Sequence, residues 1–172
     1  MLIKVSVIRK MIKKALMYQV LTNLDAKLKS KDIQLTHKQL SSDTGRNPSW
    51  FNSSFNQLED IQISTFSRIL AAVNERLKTS DKKEIDAVFL HDILTLKVIN
   101  TANSLNRLAD EEDHHLQAFI QDEEELFQDL ISYWGILSED KKLDPFEKEA
   151  LKEIRTILYP TYNAEQEADY EQ

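Results

Sequence analysis

Apolar side chains recur every three or four residues along much of this chain, which is the spacing of one face of an α-helix. The first clear case covers residues 18–29, where Val20, Leu21, Leu24 and Leu28 share a face. Only two glycines and three prolines occur among the 172 residues. Because sandwiches and barrels need many tight turns, this scarcity disfavours an all-β fold. We therefore expect a mainly α-helical protein with short connections.

The next stretch of the chain carries the signals of two short helices joined by a turn. Thr36 and Gln39 stand in the register of a capping box, and Gly45 suits the end of the first helix. Asn47 and Pro48 suit the N-cap and the first position of the second helix. The apolar residues expected to face the core are Leu40, Phe51 and Phe55.

A third helix is expected to begin with Ser64 as its N-cap and to end near Asn74. Its inward residues are Phe66, Ile69, Leu70 and Val73. The spacing of these apolar positions is that of a helix with one buried face. The three helices together indicate a small helical domain in the first half of the chain.

Two runs of this region, residues 35–45 and residues 64–74, resemble the XRE (Cro/C1-type) helix-turn-helix family of transcriptional repressors. In that family the first run typically starts leucine-threonine-glutamine, has a buried leucine and ends threonine-glycine. The second run typically ends lysine-isoleucine-alanine-x-alanine-leucine, which residues 68–73 follow closely. The resemblance covers about residues 18–76 and implies a DNA-binding domain whose second helix of the motif enters the major groove.

Three positions depart from the family pattern. His37 replaces the usual glutamine, and Arg46 stands where an aliphatic residue usually follows the turn glycine. Ser54 stands where a buried apolar residue is usual, with Phe55 as its substitute. These departures imply that the recognition helix is rotated or shifted relative to the family pattern.

The resemblance implies a set of DNA-contacting residues, carried over position by position. The candidates for contact with base edges are Pro48, Ser49, Asn52 and Ser53. The candidates for contact with phosphates are His37, Lys38, Asn56, Gln57 and Arg68. Arg46 and Trp50 complete the predicted set, and packing in the helix-turn-helix core is the alternative role for Trp50.

Charge divides the chain into two parts of opposite sign. Residues 1–80 carry a net charge of +7 and residues 81–172 a net charge of −14, within a total of −7. A basic part can approach phosphates, whereas an acidic part is repelled by the same polyanion. We expect a DNA-binding domain over residues 1–78 with a basic N-terminal arm, an acidic helical oligomerisation domain over residues 79–160, and a disordered tail over residues 161–172.

The first eighteen residues carry five basic side chains and no acid. The basic residues are Lys4, Arg9, Lys10, Lys13 and Lys14. Apolar residues between them fall at roughly helical spacing. The segment is therefore either a basic amphipathic helix that covers the core or an arm that becomes ordered on DNA.

Residues 88–99 fit two secondary structures. Leu94, Leu96 and Val98 alternate with polar neighbours, which favours a short strand over residues 93–99, whereas the wider apolar spacing fits a helix. A strand followed by an apolar-striped helix resembles the tetramerisation element of the tumour-suppressor transcription factors. The predicted oligomerisation residues are Leu94, Leu96, Val98, Leu105, Leu108, Phe119, Leu126 and Leu130.

Two further helices are expected in the acidic half. One spans about twenty residues from Leu116 to Trp134 and is ended by Gly135. The other begins at Asp144 and Pro145 and stops at Pro160. Both carry an apolar stripe suited to packing or to self-association.

The chemistry of catalysis and metal binding is sparse in this sequence. With no cysteine, the chain has no disulfide, thiolate zinc site or iron–sulfur cluster. His114 and His115 stand beside acids, but adjacent helical positions point about 100° apart. No glycine-rich phosphate loop, signal peptide or membrane-spanning run is recognised. We expect a cytoplasmic non-enzyme with no cofactor, no metal and no membrane contact.

These observations predict a sequence-specific repressor that binds double-stranded operator DNA as an oligomer. The resemblances imply control of a mobile element, a conjugative plasmid or a prophage, with an antirepressor protein as a further partner. They also imply a homo-oligomer, either a dimer or a tetramer, and a tetramer could bridge two operators by looping DNA. The alternative is a protein-binding inhibitor, similar to an antitoxin, whose acidic half engages a basic partner.

Overall fold

The computed structural model describes residues 3–31, 33–79 and 84–160, and these residues form nine α-helices and no strand. The prediction of a mainly α-helical protein is confirmed. None of these helices is both long enough and apolar enough to cross a bilayer. The helices are α1 (Val5–Leu28), α2 (His37–Asp43), α3 (Trp50–Gln57), α4 (Ile63–Thr79), α5 (Ala87–Ile93), α6 (Leu96–Arg107), α7 (Leu116–Asp122), α8 (Glu124–Glu139) and α9 (Pro145–Leu158).

The chain folds into two compact units. We call residues 16–99 the central unit, and residues 1–15 together with residues 100–172 the acidic unit. This division does not coincide with the predicted boundary near residue 79. It assigns the basic N-terminal residues to the acidic unit, and the predicted disordered tail over residues 161–172 lies outside the described residues.

The division changes the distribution of charge. The central unit holds 11 Lys and Arg against 10 Asp and Glu, a net charge of +1. The acidic unit holds 11 against 19, a net charge of −8. The basic character of the first half of the sequence is therefore largely neutralised by acids within the acidic unit, and the central unit is close to neutral.

Helix α1 contributes to both cores. Its residues 5–15 bury an apolar face in the acidic unit, including Ile8, Met11 and Ile12. Its later turns bury Leu21, Leu24 and Leu28 in the central unit. Of the two alternatives for the N-terminus, the structure therefore shows the amphipathic helix and not an unstructured arm.

The core of the acidic unit is built around the indole of Trp134. This side chain has no exposed surface, and its Nε1 donates a hydrogen bond to the carbonyl oxygen of Met11 at 2.9 Å. The ring of Phe127 lies 6.1 Å from it, and Phe119 packs edge-on against Phe127 at 6.0 Å. This aromatic cluster joins α8 to α1 and α7, and the hydrogen bond satisfies the buried indole N–H.

Basic residues of α1 pair with the first turn of α9. Lys14 Nζ lies 2.6 Å from the Glu147 carboxylate, which is almost fully buried, and Lys10 Nζ lies 3.4 Å from the other oxygen. Lys10 also pairs with Asp144 at 2.7 Å. Asp144 and Glu147 form a capping box, with Pro145 at the first helical position, so the predicted start of this helix is confirmed. Removing one partner from such a buried pair is costly.

Asp144→Asn is expected to destabilise the acidic unit in a pH-dependent way. The hydrogen bond from Lys10, followed by the one from the Glu147 backbone N–H, holds the pKa of the Asp144 carboxyl below its ordinary 3.8. A carboxyl with a lowered folded pKa stabilises the fold above its unfolded pKa and loses that contribution as the pH falls through the folded pKa. Because asparagine still caps the helix, we expect the difference from wild type to shrink below about pH 4.

Urea unfolding measured between about pH 3 and pH 7 tests this expectation. Asp129→Asn, which removes one carboxylate from an exposed position of α8, reports the general effect of net charge. A difference for Asp144→Asn that stays constant across this range contradicts the assignment.

The predicted strand over residues 93–99 is wrong. Ile93 ends α5, and Leu96 begins α6 after a two-residue turn. The hydroxyl oxygen of Thr95 accepts a hydrogen bond from the Val98 backbone N–H at 3.4 Å, which caps the start of α6. Helical spacing prevails because it buries Val98 and Ile93 on the inner faces of their helices. The strand on which the resemblance to the tetramerisation element rested is therefore absent from residues 93–99.

The long helix predicted from Leu116 to Trp134 is interrupted at Glu123, between α7 and α8. Arg107 of α6 forms an ion pair with the Glu123 carboxylate, which is anchored at this break. Helix α8 then continues through Gly135 to Glu139, so Gly135 does not end it. Continued burial on that face, at Leu137, accounts for the longer helix.

Candidate nucleic-acid interface

The first helix of the predicted helix-turn-helix motif is set by its own N-terminus. Thr36 is the N-cap of α2, and its hydroxyl oxygen accepts the Gln39 backbone N–H at 3.2 Å. The Gln39 side chain accepts the Thr36 backbone N–H in return, at 3.0 Å. The predicted capping box is therefore confirmed. It fixes the direction in which α2 enters the motif.

The turn after α2 depends on a glycine. Gly45 adopts a left-handed backbone with φ of +69°, and the next residue, Arg46, donates its N–H to the Ser41 carbonyl oxygen at 2.8 Å. A Cβ on Gly45 would stand 3.4 Å from Nη2 of Arg68. That Nη2 donates a hydrogen bond to the Thr44 carbonyl oxygen. Gly45 thus ends α2 as expected, and a larger residue would be strained there.

A buried hydroxyl ties α2 to α3. Ser41 Oγ donates to the His37 carbonyl oxygen at 2.8 Å and accepts the Phe51 backbone N–H at 3.0 Å. The Phe51 side chain is fully buried, as predicted, and the His37 ring packs against it at 4.9 Å. The start of α3 is therefore held by one hydrogen bond and one buried aromatic ring.

Helix α3 begins two residues later than predicted. Its N-cap is Ser49, and its first helical residue is Trp50. The side-chain oxygen of Asn47 accepts both the backbone N–H and the hydroxyl of Ser49, at 3.0 and 2.9 Å. This Asx turn competes with helix formation, so Asn47 and Pro48 remain outside the helix.

The outer face of α3 is polar and exposed. The residues predicted to read bases or to contact phosphates are all exposed in this part of the chain: Pro48, Ser49, Asn52, Ser53, Asn56 and Gln57. The opposite face is closed by Phe51 and Ser54, both buried. The structure therefore brings the predicted residues of α3 together on one surface of the central unit.

His37 is held inside the central unit. Its Nε2 lies 2.5 Å from Asp25 of α1, and its Nδ1 lies 3.5 Å from the side-chain oxygen of Asn52. Burial raises the pKa of Asp25, but hydrogen bonds from Lys29 and His37 lower it, and the net pKa lies below the ordinary 3.8. The His37 ring is therefore committed to neighbours within the central unit.

The other basic candidates differ in their surroundings. Lys38 is exposed on α2. The Arg46 guanidinium lies over the Trp50 ring at 5.0 Å, a cation–π contact that positions both side chains. Trp50 is half-buried and contacts Phe51 edge-on at 6.1 Å. Arg68 donates a hydrogen bond to the Thr44 carbonyl oxygen and so stabilises the turn after α2.

Two acids that the sequence did not single out complete this surface. Ser54 replaces the usual apolar residue at a buried position, and its hydroxyl donates to Glu59 at 2.7 Å. Phe55 lies beside His37, with the ring centres 5.7 Å apart. Asp25 and Glu59 thus pair with His37 and Ser54, two of the three positions that depart from the family pattern. The Ser54–Glu59 pair is local to the end of α3, whereas the His37–Asp25 pair joins α2 to α1 and depends on tertiary packing.

The predicted oligomerisation residues fall into three groups by burial. Val98, Leu108 and Leu130 are buried within the chain, whereas Phe119, Leu126 and Leu105 are half-buried. Leu94 and Leu96 are exposed. They belong to a set of five large apolar side chains exposed within residues 88–99, namely Val88, Leu90, Leu94, Leu96 and Ile99. Of the predicted oligomerisation residues, Leu94 and Leu96 are therefore the most accessible to another molecule.

Metal ligands are not assembled in the described ranges 3–31, 33–79 and 84–160, where no group of three or more His, Cys, Asp or Glu side chains could hold an ion. His114 and His115 are both exposed. No protein-family model, no curated protein and no solved structure matches this chain.

Proposed function

We propose that this protein is a sequence-specific DNA-binding repressor that acts as an oligomer. One observation carries the proposal. Helix α3 presents an exposed polar face while Ser41, Gly45 and Phe51 hold the helix against α2. A short helix anchored in this way, with Asn and Ser on its outer face, has the side chains that read base edges in the major groove.

Base reading is assigned to Asn52 and Ser49. Asn pairs with adenine through two hydrogen bonds, and Ser bonds several base edges. His37 Nδ1 lies 3.5 Å from the Asn52 side-chain oxygen, so the two side chains adjoin on this surface. Ser49 stands at the N-terminus of α3, where base-contacting residues are usual.

Phosphate contact is assigned to the exposed cations of this surface. Lys38→Gln together with Arg46→Gln is expected to lower the slope of log affinity against log salt by about 2, because each phosphate neutralised contributes about 0.9. Binding to all DNA sequences should weaken alike. The slope is measured by fluorescence anisotropy on a labelled duplex at several salt concentrations.

Lys13→Gln is the matched control for this pair. Lys13 is exposed on α1, within the acidic unit, where neighbouring lysines already pair with carboxylates of α9. We expect its slope to equal that of wild type. A slope that falls for Lys13→Gln and not for the Lys38 and Arg46 pair would place the DNA contact on the N-terminal basic segment.

Oligomerisation is supported by the exposed apolar side chains within residues 88–99. Exposed apolar side chains concentrated in twelve residues are costly in water unless a partner covers them. A repressor with one recognition helix per chain gains affinity and specificity by binding paired half-sites as a dimer. We assign this segment to the contact between the central units of two chains. The proposal also includes control of mobile-element genes and an antirepressor protein as a partner.

A footprint on the DNA that flanks the protein's own gene tests the proposal. We expect protection of one or more paired half-sites spaced by about one helical turn or a multiple of it. Protection should persist when unrelated duplex DNA is added in excess. Uniform weak protection of all sequences, lost at moderate salt, would contradict sequence-specific repression.

A second candidate is a protein-binding inhibitor, because the acidic unit carries a net charge of −8. Such a unit attracts a basic partner protein. The two functions separate in one comparison. Binding of the purified chain to operator DNA with no other protein present supports the repressor. Tight binding to a basic protein without protection of DNA supports the inhibitor.

A further inference from the structure

The acidic unit carries an exposed aromatic side chain next to an apolar groove. Phe146, the second residue of α9, is 68% exposed. Beside it lies a groove of about 260 Å³ between the start of α1 and one face of α9. Ile3 and Val7 line the groove on the α1 side, and Ala150 lines it on the α9 side. An exposed phenyl ring that adjoins an apolar groove has the chemistry of an interface anchor.

The rims of this groove carry opposite charges. Lys4 stands on the α1 side, and Glu149 and Glu153 stand on the α9 side. When a surface meets its own copy across a two-fold axis, each group of one copy faces a different group of the other. Lys4 of one chain can then face a carboxylate of the second chain. The surface is therefore complementary to itself in charge as well as in shape.

The groove continues along α9. A second groove of about 280 Å³ shares Ile3 and Glu153 with the first and adds Leu116 and Ile157 to its lining. A stable contact between two proteins buries roughly 800 Å² on each partner, more than one phenyl ring supplies. The extended groove provides the additional surface on both sides of the ring.

We infer that this α1/α9 surface, formed by Ile3, Lys4, Val7, Phe146, Glu149 and Glu153, binds a second copy of the chain. Phe146 of each copy enters the groove of the other. The inference rests on the oligomerisation part of the proposed function and adds a contact on the acidic unit to the one assigned within residues 88–99. Two different two-fold contacts on one chain are what a tetramer of D2 symmetry requires.

The chain's own C-terminal segment is a poorer occupant of this groove. Residues 161–172 carry four acids and no Lys or Arg. The rim residues Glu149 and Glu153 would repel them. A second copy, by contrast, brings Lys4 to Glu149.

Sedimentation velocity on the full chain tests the inference. Phe146→Glu is expected to weaken the contact at least thirtyfold, roughly the loss at an anchor residue, and to halve the mass of the wild-type assembly. The fold should persist, because Phe146 is exposed and a carboxylate near a helix N-terminus is favourable. Ile136→Glu is the matched control, since it adds the same charge to another exposed apolar position of the acidic unit.

Photo-crosslinking identifies the occupant directly. The aromatic photo-crosslinker p-benzoyl-phenylalanine is placed at position 146, and light and ¹⁵N-labelled chains are mixed before irradiation. We expect light–heavy crosslinks to peptides within residues 3–7 or 149–153.

Either of two results overturns the inference: crosslinks confined to the chain's own residues, including 161–172, or an unchanged mass for Phe146→Glu. Both measurements are made without DNA, so a failed footprint with intact crosslinks rejects the repressor function and leaves the contact standing.

Discussion

Trp134→Ala is expected to lower the free energy of unfolding of the acidic unit by about 3–5 kcal/mol, the range for removing a large buried aromatic side chain. The indole has no exposed surface and packs against Phe127. Its removal leaves a cavity in the aromatic cluster and deprives the Met11 carbonyl oxygen of its hydrogen-bond donor. Because Met11 lies inside α1, its carbonyl oxygen keeps its intrahelical hydrogen bond, so the lost bond adds only about 0.5–1.5 kcal/mol to the cost of the cavity.

Urea unfolding followed by far-ultraviolet circular dichroism measures this loss. Trp134→Phe is the control, because it keeps an aromatic ring and removes the N–H that binds Met11. We expect it to cost about 1–3 kcal/mol, clearly less than the alanine variant. Trp50, the only other tryptophan, reports on the central unit by fluorescence in both variants. An alanine variant within 1 kcal/mol or so of wild type would contradict the assigned core.

Ser49→Ala combined with Asn52→Ala is expected to remove most of the preference for the operator over unrelated DNA. A good bidentate contact discriminates bases by about 1–3 kcal/mol, so the specificity ratio should fall by roughly tenfold to more than a hundredfold. Non-specific affinity and its salt dependence should change little, because no charge is removed. Both side chains are exposed, so the fold should be retained.

Competition binding measures this ratio on the footprinted site and on a shuffled duplex of equal length. Asn106→Ala with Ser132→Ala is the matched control, since it removes the same two side chains from exposed positions of the acidic unit. We expect the control to keep the wild-type ratio. A wild-type ratio in the Ser49 and Asn52 variant would show that α3 does not read the operator.

Features that depend on residues three or four positions apart were predictable from the sequence. The capping box at Thr36 formed as expected, and α9 began at Asp144 and Pro145 as expected, because the hydrogen bonds involved are local. Gly45 ended its helix because a left-handed residue was needed there. The burial of Leu40 and Phe51 followed from helical spacing.

Features that depend on distant partners were decided by tertiary structure. The basic residues Lys10 and Lys14 lie more than 120 positions from the carboxylates of α9 that neutralise them, and no local pattern indicates that pairing. Likewise, His37 pairs with Asp25, and Glu123 pairs with Arg107. Such contacts exist only after the helices pack, because each requires a partner brought near by the fold.

For the segment from Leu94 to Val98, the sequence pattern allowed two structures and tertiary packing selected one of them. Its alternation of apolar and polar residues fits a strand, and its wider apolar spacing fits a helix, so the sequence by itself determined only that one apolar face would be buried. Burial of Ile93 and Val98 on successive helices decided the outcome. A lone strand would have left its backbone N–H and C=O groups unpaired, whereas a helix satisfies them within the segment.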